Sequence, residues 1–80
     1  MSVNAIDLRR ALRKGKWNED PYHDFQKNGW YITIRNDSRI QLQVYGKKEE
    51  ELLTTEWEYL DDCKLMGGRL YMKGIEVKLV

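Results

Sequence analysis

The 80-residue chain has one cysteine, one proline and one histidine, and no apolar run that approaches membrane-spanning length. Each scarcity excludes something. A lone Cys63 allows no internal disulfide and no thiolate-based zinc site, and the charges in MSVNAIDLRRALRK stand where a signal peptide needs its apolar stretch. The cytoplasm is therefore the expected compartment, with no membrane partner. The sequence also has no glycine-rich phosphate loop with its lysine, no histidines paired at i and i+4, no cysteine cluster and no nucleophile elbow. This predicts a non-catalytic protein with no cofactor and no metal. His23 beside Asp24 is the one catalytic temptation, but sequence neighbours on a loop need not face each other, and no serine or cysteine stands at an interpretable spacing. The length predicts a single globular domain with a small core.

What is present centres on Gly29 to Gly46, GWYITIRNDSRIQLQVYG. Trp30, Ile32 and Ile34 alternate with Tyr31, Thr33 and Arg35, and after Asn36-Asp37-Ser38 the alternation resumes with Ile40, Leu42 and Val44 against Gln41, Gln43 and Tyr45. Ile34 and Ile40 share a face only if the loop between paired residues is odd in length. Arg35 is therefore paired with Arg39 around a three-residue turn, with Asp37 close enough to relieve their repulsion. An isolated hairpin is marginal in water, so flanking segments must cover its apolar face.

Before the hairpin, Asn4 reads as a helix cap, and Ala5, Leu8, Ala11 and Leu12 fall on one face of a helix that stops before Gly15. Arg9, Arg10, Arg13 and Lys14 gather opposite, as a solvated face or an anion site. Lys16 to Asn28 has no period and reads as a loop; its Trp17, Tyr22 and Phe25 either fold down over a core edge or contact a partner. After the hairpin, Leu52, Leu53, Trp57, Leu60 and Cys63 define a helical stripe over 47–66. Glu56 would fall within that stripe, where an unpaired carboxylate is costly. The competing reading takes TTEWEY as a strand. Gly67-Gly68 breaks the chain, and RLYMKGIEVKLV ends it as one long strand or a second hairpin turning at Lys73-Gly74.

The expected fold is thus α+β: helix, β-hairpin, helix, then a C-terminal strand or hairpin, with the helices on one face of an antiparallel sheet. Charge is uneven along it: residues 1–17 carry a net +4 and residues 47–64 a net −4. The expected function is that of a small adaptor or inhibitor, comparable in size to those made by phages and other mobile elements, binding another protein through Trp17, Tyr22, Glu50, Glu58 and Asp61. The alternative is a nucleic-acid module, with Arg9, Arg10, Arg13 and Lys14 on phosphates and Tyr31, Arg35 and Tyr45 on the polar sheet face. The terminal strand offers an edge through which two copies could pair as a homodimer.

Overall fold

A computed structural model describes residues 3–22 and 24–80. The first element, α1 (Ala5–Lys14), begins where the Asn4 side chain accepts the Asp7 backbone N–H at 2.8 Å. Asp7 in its first turn and Arg13 and Lys14 in its last suit the helix dipole, and Leu8 and Leu12 are buried. At Gly15 the backbone runs so close to the C-terminal segment that an added Cβ would lie 1.7 Å from the Leu79 carbonyl oxygen. No side chain fits there.

The rest is antiparallel sheet. Strands β1 (Asn18–Glu19), β2 (Asp24–Lys27), β3 (Trp30–Ile34), β4 (Arg39–Tyr45) and β5 (Glu51–Thr54) lie side by side in chain order. A short β6 (Glu58–Tyr59) pairs with the Arg39 end of β4, on the side that β5 occupies farther along. A 3₁₀ turn (Leu60–Asp62) leads to a second sheet of β7 (Lys64–Met66), β8 (Arg69–Met72) and β9 (Ile75–Lys78). Met72 pairs with Ile75, so Lys73-Gly74 is a two-residue turn and the C-terminal stretch is a hairpin. The β3–β4 register follows the parity argument: Ile34 opposes Ile40, Ile32 opposes Leu42, and the Arg35 N–H donates to the Arg39 carbonyl at 2.8 Å.

One hydrophobic cluster joins all these parts. Leu8 and Leu12 of α1, Phe25, Ile32, Ile34, Ile40, Leu42 and Val44 of the first sheet, and Leu70, Met72 and Val77 of the second belong to it. The sheets therefore meet through their apolar faces, with α1 covering part of the first.

This architecture overturns the helix–hairpin–helix–strand expectation. The described residues contain one α-helix, at the N-terminal end, and two sheets. The predicted second helix over 47–66 is replaced by β5, β6, the 3₁₀ turn and β7. Its stripe was a coincidence of spacing: Leu60 and Cys63 are buried, but Leu52 and Leu53 are exposed on β5, where Leu52 is the extra residue of a bulge opposite Val44 and Tyr45. Pairing with the long edge of β4 supplies backbone bonds that local helix propensity does not outweigh. Glu56 is exposed, so the buried carboxylate that a helix required does not arise. The predicted 16–28 loop also contains two strands, with Asn28 and Gly29 at φ 51° and 84° making the two-residue turn from β2 into β3.

Candidate recognition surface

Residues opposite each other in a sheet share a face, and their neighbours along the strand take the other. Because Ile32, Ile34, Ile40, Leu42 and Val44 point to the core, Tyr31, Thr33, Gln41, Gln43 and Tyr45 stand on the outer face of the first sheet. All five are partly buried, none fully. The Tyr31 and Tyr45 rings, diagonal across the strands, meet edge to face with centroids 5.5 Å apart. The Gln43 amide lies 3.4 Å from the Tyr45 hydroxyl, which accepts its hydrogen bond.

At the other end of the hairpin the same face carries two guanidiniums. Asp37 Oδ2 lies 3.3 Å from Arg35 Nη2 and 3.5 Å from Arg39 Nε, the relief of like charge that the three-residue turn anticipates. Each guanidinium also rests on a ring, Arg35 at 5.0 Å from the Trp57 centroid and Arg39 at 4.5 Å from that of Tyr59. Arg39 further donates to the Tyr59 hydroxyl. What brings Trp57 there is the segment between β5 and β6. The Thr55 N–H donates to the Leu42 carbonyl at 2.9 Å, its hydroxyl accepts the Leu42 N–H at 3.0 Å, and its carbonyl accepts the Gln41 amide at 3.1 Å. Trp57 and Tyr59 were missed as surface residues because the helical stripe absorbed Trp57; the TTEWEY alternation was the available signal.

The other candidate residues are dispersed. Trp17 is 6% exposed and its indole N–H donates to the Leu79 carbonyl at 2.8 Å, so its ring packs in the core and presents little surface to a partner. Tyr22 is 84% exposed. Glu50 lies in the loop before β5, near the Tyr45 end of β4, whereas Glu58 opposes Ile40 near the other end and Asp61 follows it in the 3₁₀ turn. At about 3.4 Å per strand residue, that separates the acidic groups by roughly 17 Å. No acidic helix unites them.

The basic helix is divided from the tyrosines. Because α1 packs through Leu8 and Leu12 against the inner side of the first sheet, Arg10, Arg13 and Lys14 stand across the sheet from Tyr31 and Tyr45. Arg13 makes an ion pair with Glu19 at 3.1 Å and lies over the Phe25 ring, and Arg10 approaches Asp7 at 3.7 Å. Arg9 is the exception: it lines a shallow depression with Tyr22, Thr33, Arg35, Asn36 and Asp37 at the hairpin tip. His23 lies outside the described residues.

Behind this surface, Cys63 is buried, with its thiol 3.5 Å from the Tyr59 carbonyl. Burial, with smaller contributions from the Glu58 and Asp62 carboxylates, pushes its pKa up to about 11, which keeps it a neutral, unreactive thiol. No helix among the described residues is long and apolar enough to cross a membrane. No protein-family model matches the chain, and neither a curated protein nor a solved structure matches it.

Proposed function

We propose that this chain is a non-catalytic binding protein, of adaptor or inhibitor type, that recognises another protein through the outer face of its first sheet. The observation that carries this reading is compositional and geometric at once. Tyr31, Tyr45, Trp57 and Tyr59 share that face with Arg35 and Arg39, and no lysine stands among them. Protein interfaces are enriched in tryptophan, tyrosine and arginine and depleted in lysine, because rigid amphipathic rings give contact area at low cost in side-chain entropy. Here the arginines are already ordered against rings, which lowers that cost further.

Single-stranded nucleic acid draws less support. A strand laid on the tyrosines would meet guanidiniums that share Asp37, while Arg10, Arg13 and Lys14 lie across the sheet. The test is crosslinked affinity capture from the native cell with the parent chain and a Tyr45→Ala/Trp57→Ala variant, both shown by circular dichroism to be folded. A protein partner recovered with the parent and at least ten times less with the variant is the expected result. Equal recovery by both, or nothing above background with the parent, would overturn the reading.

A further inference from the structure

Positive charge is not spread evenly over the recognition face; it collects at the hairpin tip. Arg35 and Arg39 share one carboxylate, Asp37. That carboxylate does not satisfy both: Arg39 Nε is buried and makes no hydrogen bond, although Asp37 Oδ2 is 3.5 Å away. Arg9 lines the depression beside them and has no ion-pair partner among the described residues. Asp24, opposite Thr33, is the other carboxylate on this part of the outer face, whereas Glu58 opposes the inward-facing Ile40 and so belongs to the other side. The tip therefore keeps an excess of guanidinium over carboxylate.

The arginines are also built to receive an anion. Arg35 and Arg39 each lie over a ring, and although Arg39 spends one N–H on the Tyr59 hydroxyl, each guanidinium keeps further N–H groups on an edge whose fork matches the two oxygens of a carboxylate. Both rings here belong to the segment that follows β5, so the two edges are held in fixed relation on either side of Asp37.

We infer that the hairpin tip is the receptor for an acidic side chain of the partner protein, a glutamate or aspartate that binds between Arg35 and Arg39 in competition with Asp37. The inference rests on the protein-recognition reading and specifies what the partner must present. Asp37 bridges the two arginines until the partner arrives, and the partner's carboxylate then takes the guanidinium N–H groups that Asp37 gives up. Tyr22, exposed at the rim of the same depression, is placed to cover the chain that bears the acid.

The experiment follows the side-chain Nε–H signals of Arg35 and Arg39 by nuclear magnetic resonance, with the full chain, during titration with a ten-residue oligoglutamate. A ten-residue oligoglutamine and a ten-nucleotide oligothymidylate are the controls. The expected result is a saturable shift of both signals with oligoglutamate and none with oligoglutamine, weakening as salt is raised. Asp37→Asn, which removes the internal competitor at an exposed turn position, should bind oligoglutamate at least threefold more tightly, and Arg35→Gln at least tenfold more weakly. Signals that ignore oligoglutamate, Asp37→Asn binding no tighter in a chain that keeps its hairpin amide pattern, or tighter binding of oligothymidylate would each overturn the inference. The wider reading is tested separately. If capture depends on Tyr45 and Trp57 while the arginine signals ignore glutamate, the acidic anchor fails and the recognition face stands.

Discussion

The two sheets bury the same kind of face and expose different ones. Inward, Ile32 and Leu42 of the first sheet and Leu70 and Val77 of the second join one cluster. Outward, the second sheet shows Lys64, Met66, Arg69, Tyr71, Glu76 and Lys78, with Arg69 bonded to Glu76, a mostly charged surface with a single ring. The first shows four rings, two stacked arginines and polar amides, with the carboxylates of Asp24, Asp37 and Glu51 among them. Core burial explains the inward sides of both and asks nothing of the outward side of either. Core burial therefore does not account for the outward difference, and the proposal of recognition rests on it.

The largest effects should fall on the shared side. Ile32→Ala and Leu70→Ala each delete a fully buried side chain and should cost about 2–5 kcal/mol. In urea unfolding, both should move one transition seen alike by tryptophan fluorescence and circular dichroism. A Leu70→Ala transition confined to part of the signal would show that the two sheets unfold separately and break the comparison at its base. Trp17→Phe should cost less, about 1–3 kcal/mol in the same assay, because the Leu79 carbonyl loses its buried donor.

A further contribution depends on pH. Cys63 has a folded pKa near 11, above the ordinary 9.0, so the folded state favours the neutral thiol. The stability it contributes is complete below about pH 9 and is lost as pH rises toward 11. At pH 8, alkylation by iodoacetamide should be about 100-fold slower than in the unfolded chain, since the thiolate fraction falls tenfold per unit. Rapid alkylation of the folded protein would contradict this.

The smallest stability changes should come from the outward sides, and here the sheets should part company. Tyr45→Ala removes one partner of an edge-to-face pair, about 0.5–1.5 kcal/mol, yet should reduce partner binding at least tenfold. Arg69→Ala on the second sheet should leave both binding and the melting midpoint nearly unchanged. Binding lost equally from both faces would erase the distinction between them.

How far these regions could be read from residue order differs for physical reasons. The β3–β4 hairpin was legible down to its register because six apolar residues alternate through it and an odd loop is the only one that keeps them on one face. α1 was legible because its cap, stripe and terminal glycine agree. β2 was not, because Phe25 is its only buried residue, and one residue has no period; the Asn28-Gly29 turn was the better signal. The 47–66 segment reads as helix because its strands are two to four residues long and largely exposed, so pairing outside the segment, with β4 for β5 and β6 and with β8 for β7, decides their conformation. Of the candidate site, the Tyr31–Tyr45 diagonal and the Asp37 bridge followed from the register. Trp57 and Tyr59 required knowing that Thr55 ties its segment to β4.

The most direct test of the central assignment places a photo-crosslinking benzoylphenylalanine at Tyr45 in one chain and at Tyr71 in another, and irradiates each in the native cell. A discrete crosslinked protein adduct is expected from position 45 and none from position 71. Adducts from 71 and not from 45, or the same adducts from both, would contradict it.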